Sequence, residues 1–121
     1  MTLAQVVDIL KAEVVVPALN GAAPVSGCFA ADLMSDVLAF ARSGSLLVTG
    51  LATDQAIRTA AIKRLVAVVV IEGKEVGGEM IEAAHEQQMP IYRSPLSKYE
   101  TCGLLLQAGL RPYRTAATLE S

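Results

Sequence analysis

Charge is scarce in this sequence of 121 residues: 18% are Asp, Glu, Lys or Arg, against about 25% in an ordinary soluble domain. The net charge is −2, and no block of Lys or Arg appears. Arg111, Tyr113 and Arg114 form the one locally basic stretch. Phosphate backbones demand clustered positive charge, so nucleic acid is not an expected partner. Long apolar runs are missing too. Hydrophobic residues make up 53% of the chain and mean hydropathy is +0.46. Yet the longest run, Leu65 to Ile71, falls far short of the roughly 20 residues that cross a bilayer, so no membrane association is expected. The opening "MTLAQVVDILKAE" has no basic n-region and carries Asp8 early, so no secretory leader is expected and the cytoplasm is the expected location. Two cysteines, Cys28 and Cys102, make neither a CxxC motif nor a disulfide framework. They read as cytosolic thiols that pack as small apolar residues. The single histidine, His85, stands among Glu82, Glu86 and Gln87 and reads as a surface residue. No metal-ligand spacing is visible, so neither a metal nor another cofactor is expected.

What is abundant is apolar residues in short pieces, and they must be buried somewhere. A parallel sheet covered on both faces uses many of them, and so does the apolar interface of a homodimer. Leu3, Val6, Val7 and Leu10 fall on one face of a short helix, and "EVVVP" follows as a buried strand. "LNGAAPVSG" is a loop by composition. Cys28 to Ala30 ends a short strand, Asp32 stands where an N-cap would, and Leu33, Met34, Val37, Leu38 and Ala41 make an apolar stripe running to Gly44. "SLLVT" is the next strand. A helix then opens at Thr53, with Ile57, Ala60 and Ala61 facing inward. "VAVVVI" is the most strand-like run. After the turn "EGKEVGGEM", a helix spans Met80 to Gln88 with Ile81 and Ala84 on its apolar side. "IYR" makes a last strand, and Ser94 to Ser97, with Pro95 at a helix start, lead into a final helix. Its stripe is Thr101, Leu104, Leu105 and Ala108, stopped at Gly109. Strands that alternate with helices predict an α/β fold: a single compact domain with a mostly parallel sheet. The domain is expected over residues 1–113, with a flexible tail over 114–121.

Ligands of open α/β sheets sit beyond the carboxyl ends of the strands. That rule selects residues 30–35, 49–54, 72–74 and 93–97. Thr49-Gly50 followed by the Thr53 helix has two readings: a plain turn with an N-cap, or backbone N–H groups free for an anion. Asp54 complements the helix dipole internally and favours the first. The Ser94–Ser97 loop is equally open, with Arg93 beside it favouring an anion. Asp32 and Asp36, one turn apart, are either a cap and a solvated acid or a carboxylate pair for Mg²⁺ or acid/base work. No set of residues reaches a catalytic motif, and the chain is not expected to be an enzyme.

In order along the chain, "GCFAADLMSDVLAFARSGSLLVTGL", "IRTAAIKRLVAVVVIEGKEV" and "MPIYRSPLSKYETCGLL" resemble the DRTGG-domain family over residues 2–112. That family is similar in fold to the N-terminal domain of HPr kinase/phosphorylase and occurs beside CBS domains in regulated pyrophosphatases and long phosphotransacetylases. The motif that names it is altered here: after Thr49-Gly50 the chain reads "LATDQAIRTA", with no glycine pair and with Asp54, Arg58 and Thr59 spread along a helix. The resemblance implies a regulatory or assembly module without chemistry of its own. Such modules commonly dimerise, and the leading expectation is a homodimer that binds a nucleotide or other phosphorylated metabolite at the strand ends. The candidate ligand-binding residues are Thr49, Gly50, Thr53, Ser94 and Ser97, with Asp32 and Ser35 nearby. The alternative is a protein-interaction module without a small ligand, docking a partner enzyme through an apolar surface around Tyr99 and Leu104 to Leu106. Free-standing members of the family accompany redox enzymes such as iron hydrogenases.

Overall fold

The chain's computed structural model describes residues 1–112; the tail expected beyond them lies outside the described residues. In chain order the elements are α1 (Leu3–Leu10), β1 (Glu13–Val16), β2 (Gly27–Ala30), α2 (Met34–Phe40), β3 (Ser45–Thr49), α3 (Asp54–Ile62), β4 (Ala67–Val70), α4 (Gly78–Gln87), β5 (Ile91–Arg93) and α5 (Lys98–Gln107). They form one α/β unit around a five-stranded sheet of order β1-β5-β4-β3-β2.

Strands β2 to β5 run parallel, each beside the next in sequence. Each parallel step needs a crossover helix, and crossovers are right-handed almost without exception. Steps that all march in one direction therefore place α2, α3 and α4 on the same face. The other face would lie bare if the chain ends did not cover it, and α1 and α5 do so, packed against each other. The strand sequences match this double burial. Leu47, Val68, Val70 and Ile91 enter the core under α2 to α4, while Leu46, Val48, Val69, Ile71 and Tyr92 enter the core under α1 and α5. Every residue of β3 and β4 is buried, as expected for central strands of a parallel sheet.

The sheet departs from parallel at β1, which runs antiparallel to β5 and closes that edge with a Glu13–Arg93 ion pair at 2.7 Å. At the opposite edge, the chain after α5 returns to β2. The Cys28 N–H donates to the Arg111 carbonyl at 3.0 Å, and Cys28 forms a bridge with Pro112.

Several local expectations are corrected. Helix α2 begins at Met34, with Leu33 rather than Asp32 at the N-cap and no side-chain cap. Of its expected stripe, Met34, Val37 and Ala41 are buried, whereas Leu33 and Leu38 are exposed. Helix α4 starts at Gly78, two residues before Met80. Pro95 does not open α5; the helix begins at Lys98 behind a capping box of Ser97 and Glu100. In α5, Thr101 and Leu105 point inward while Leu104 and Ala108 stay exposed. Among the described residues no helix is long and apolar enough to cross a membrane.

Candidate functional site

The parallel strands end together, and the segments that follow β2, β3 and β4 meet the start of α5 at one place. Asp32, two residues past β2, reaches across to the end of β3. Its Oδ1 accepts the Gly50 N–H at 2.7 Å and the Thr49 hydroxyl at 3.4 Å. Its Oδ2 takes the Lys98 ammonium at 2.7 Å from the first turn of α5. From the other side, Lys74 Nζ donates to the Gly50 carbonyl at 3.0 Å.

Lys74 gets there by a tight turn. Glu72 and Gly73 both have φ of +58°, and the Lys74 N–H donates to the Ile71 carbonyl at 3.2 Å. Two left-handed central residues inside such a bond are the pattern of a type I′ turn. The turn is pinned to the β5–α5 loop, because the Glu72 and Gly73 N–H groups donate to the Leu96 and Ser94 carbonyls. Gly50 lets the ends of two side chains close in on it, and its backbone angle does not call for glycine. A Cβ there would lie 2.9 Å from Lys74 Nζ and 3.3 Å from Asp32 Oδ1.

The result is a cationic corner around one carboxylate. The Lys98 ammonium, then the Gly50 N–H, hold the Asp32 carboxyl below its ordinary range, and the charge of Lys74 adds to this. Burial acts the other way, weakly, since the Asp32 side chain is 55% exposed. The carboxylate is held by one backbone N–H and one ammonium group, with a second ammonium on the neighbouring Gly50 carbonyl, the donor types that also bind anions.

Thr49, Gly50 and Asp32 thus come together, and Ser97 stands beside Lys98. Thr49 and Ser97 have their hydroxyls engaged within the protein. Thr49 Oγ1 also accepts the Leu51 N–H at 3.0 Å, and Ser97 Oγ accepts the Glu100 N–H at 3.1 Å. Ser94 is fully buried, its hydroxyl 3.1 Å from that of Thr101 and 3.2 Å from the Leu96 N–H; it shapes the loop from beneath. Ser35 and Thr53 are exposed at the starts of α2 and α3, and Thr53 makes no capping bond with its side chain. A cleft of about 240 Å³ separates Thr53 from Gly77 and Gly78 at the start of α4. Asp54 and Glu79 already place negative charge in those first turns, which makes this cleft the poorer anion site.

Two expectations change here. Asp32 and Asp36 are not a pair on one helical face, because Asp32 precedes α2 and turns to Gly50 and Lys98. Arg93 does not serve the Ser94 loop, because its guanidinium holds Glu13. Lys98 escaped sequence reasoning, and Lys74, though inside the selected stretch, was given no role. The strand-end rule reaches Lys74 and stops one residue before Ser97's neighbour Lys98. Among the described residues no group of three or more His, Cys, Asp or Glu could hold a metal ion.

No protein-family model matches the sequence, and no curated protein does. The fold does match a solved one, the CBS and DRTGG domains of the regulatory region of Clostridium perfringens pyrophosphatase, complexed with the activator diadenosine tetraphosphate. The TM-score is 0.67 at 16% identity, over 88% of this chain and 46% of that one. This chain therefore spans about half of that regulatory region and shares its fold with part of it.

Proposed function

We propose that this protein is a non-catalytic regulatory domain that binds a nucleotide or another phosphorylated small ligand at the carboxyl ends of its parallel strands, and that it works as a homodimer in the cytoplasm. The observation that carries the reading is the corner where the Gly50 N–H and the Lys98 ammonium meet on a single exposed carboxylate, with the Lys74 ammonium close by on the Gly50 carbonyl. A phosphate entering there displaces the Asp32 carboxylate and inherits its donors. Asp32 is then a built-in competitor that sets a threshold for binding. The matched regulatory region, which is complexed with a dinucleotide activator, supports a nucleotide as the first ligand to try.

The test is thermal unfolding of the wild type and of Asp32→Asn against inorganic phosphate, acetyl phosphate, acetyl-CoA, adenine mononucleotides and diadenosine tetraphosphate. A ligand at about 100 times its Kd adds about 2.7 kcal/mol, which moves the midpoint of a domain near this size by about 4–8 °C. A selective shift is expected, larger in Asp32→Asn than in the wild type. A flat panel for both proteins would overturn the ligand reading.

A second reading, a module that docks a partner enzyme, has its own observation. Tyr99 is 89% and Leu106 62% exposed on α5. Leu105, expected in the same surface, is in the core.

A further inference from the structure

Cys28 and Cys102 lie far apart in sequence and side by side in the fold. Cys28 sits within β2 on the face that α5 covers, and Cys102 lies on α5; both pack against the same core. Together with Leu105, Leu106, Leu110 and Pro112 they line a small cavity of about 160 Å³. The clip from Cys28 to Arg111 and Pro112 returns the end of α5 to this strand, so the two sulfurs are held together by the fold and not by a bond. Both are free thiols and both are partly exposed, so a small oxidant can reach them.

The pair is also asymmetric. The Cys28 thiol donates a hydrogen bond to Cys102, and Lys98, one helical turn before it, adds positive charge; against some burial, these hold the Cys102 thiol down to about 7. The same bond, with burial, pushes the Cys28 thiol up. A thiolate with a protonated thiol beside it is the arrangement of an attacking and a resolving cysteine.

We propose that Cys28 and Cys102 form a reversible dithiol–disulfide site oxidised by hydroperoxides, with Cys102 as the attacking and Cys28 as the resolving residue. The Cys102 sulfur gives an electron pair to the near peroxide oxygen and the O–O bond breaks. The far oxygen leaves as hydroxide or alkoxide and takes a proton from water, and Cys102 becomes a sulfenic acid. The Cys28 sulfur then attacks the Cys102 sulfur. The S–S bond forms, the S–O bond breaks, and the hydroxide leaves as water with the Cys28 proton. Two electrons pass from the sulfur pair to one peroxide. A small dithiol restores both thiols by exchange through a mixed disulfide.

The experiment treats the full chain with one equivalent of hydrogen peroxide, then with dimedone and an alkylating agent, and weighs the intact protein. The wild type should lose two hydrogen atoms, resist alkylation at both cysteines, and recover both thiols with dithiothreitol. Cys28→Ser should instead carry a dimedone adduct on Cys102, and Cys102→Ser should react no faster than a thiol in the unfolded chain. Serine nearly matches cysteine in size, and the wild-type result stands even if a variant fails to fold. A wild type that keeps two alkylatable thiols, gains oxygen on Cys102 without losing hydrogen, or cross-links two chains would overturn the site.

Discussion

Asp32 shows how one side chain can hold three segments. Its carboxylate joins the ends of β2 and β3 to the start of α5 through Gly50 and Lys98, and its pKa is lowered by those bonds. A carboxyl whose folded pKa is depressed stabilises the fold fully above its unfolded value, about 3.9. That contribution is lost as pH falls through the folded value. Because the side chain is 55% exposed, solvent screening limits the ion pair to about 0.5–1 kcal/mol. Urea unfolding of wild type and Asp32→Asn should therefore differ by about that amount at pH 6, and the difference should shrink as pH falls from the ordinary aspartate value of about 3.9 through the depressed folded one; a constant difference would refute the linkage. Cys102 gives a second pH signature, with alkylation half-maximal near pH 7 as its thiol titrates. In Cys28→Ala the midpoint should rise toward the ordinary thiol value of about 8.5, since the donor that favours the thiolate is gone. Neither role could be read from sequence. An aspartate before a helix has the composition of a cap, and only the late start of α2 frees it. The cysteines meet only because α5 folds back over β2.

At the scale of elements, the loops after β4 and β5 place the two lysines, and each has a local weak point. Glu72 holds a left-handed φ of +58°, which is uncommon for a non-glycine residue outside Asn, Asp and His and costs about 1 kcal/mol or more. Glu72→Asn should stabilise the protein by a few tenths of a kcal/mol up to about 1, read as a higher unfolding midpoint; a lower one would mean that the glutamate does something the turn does not reveal. The buried hydroxyl pair of Ser94 and Thr101 fixes the other loop on α5. Thr101→Val keeps the shape and removes one hydroxyl of the buried pair, leaving the Ser94 hydroxyl with the Leu96 N–H alone, at about 1–3 kcal/mol. Chemical denaturation should show that loss, with weaker ligand binding because Lys98 follows the same loop. The elements themselves were largely legible: β1, β3 and β4 showed as β-branched runs, but the start of α5 was placed at Pro95 although Ser97 with Glu100 carries the S-x-x-E signature of a capping box. The stripes of α2 and α5 were read too wide, because periodicity marks an apolar face without saying how much of it another element covers.

Over the whole molecule, one-way parallel crossovers force α1 and α5 onto the second face of the sheet, and that determines what stays uncovered. The direction of β1 was beyond sequence reasoning: an isolated apolar run carries no sign of parallel or antiparallel pairing, and its partner β5 comes at the other end of the fold. Helix α5 has its inner side on the sheet through Thr101 and Leu105 and nothing outside it among the described residues. Tyr99 and Leu106, seven residues apart, fall on one outer stripe. Gly103 lies between them with open space where a Cβ would stand, and a hollow of about 440 Å³ runs along the helix past Leu96 and Leu104. A two-fold contact between copies would set Tyr99 of each chain into the other's hollow, burying apolar surface by exchange of the same patch. If that is the homodimer interface, sedimentation equilibrium should show the wild type as a dimer and Tyr99→Lys/Leu106→Lys as a monomer with the same secondary structure. The wild-type unfolding midpoint should rise with protein concentration and that of the double variant should not. A wild type that sediments as a monomer at about 100 μM, well above the dissociation constants of stable dimers, would remove the dimer and leave the Tyr99 surface for a different protein.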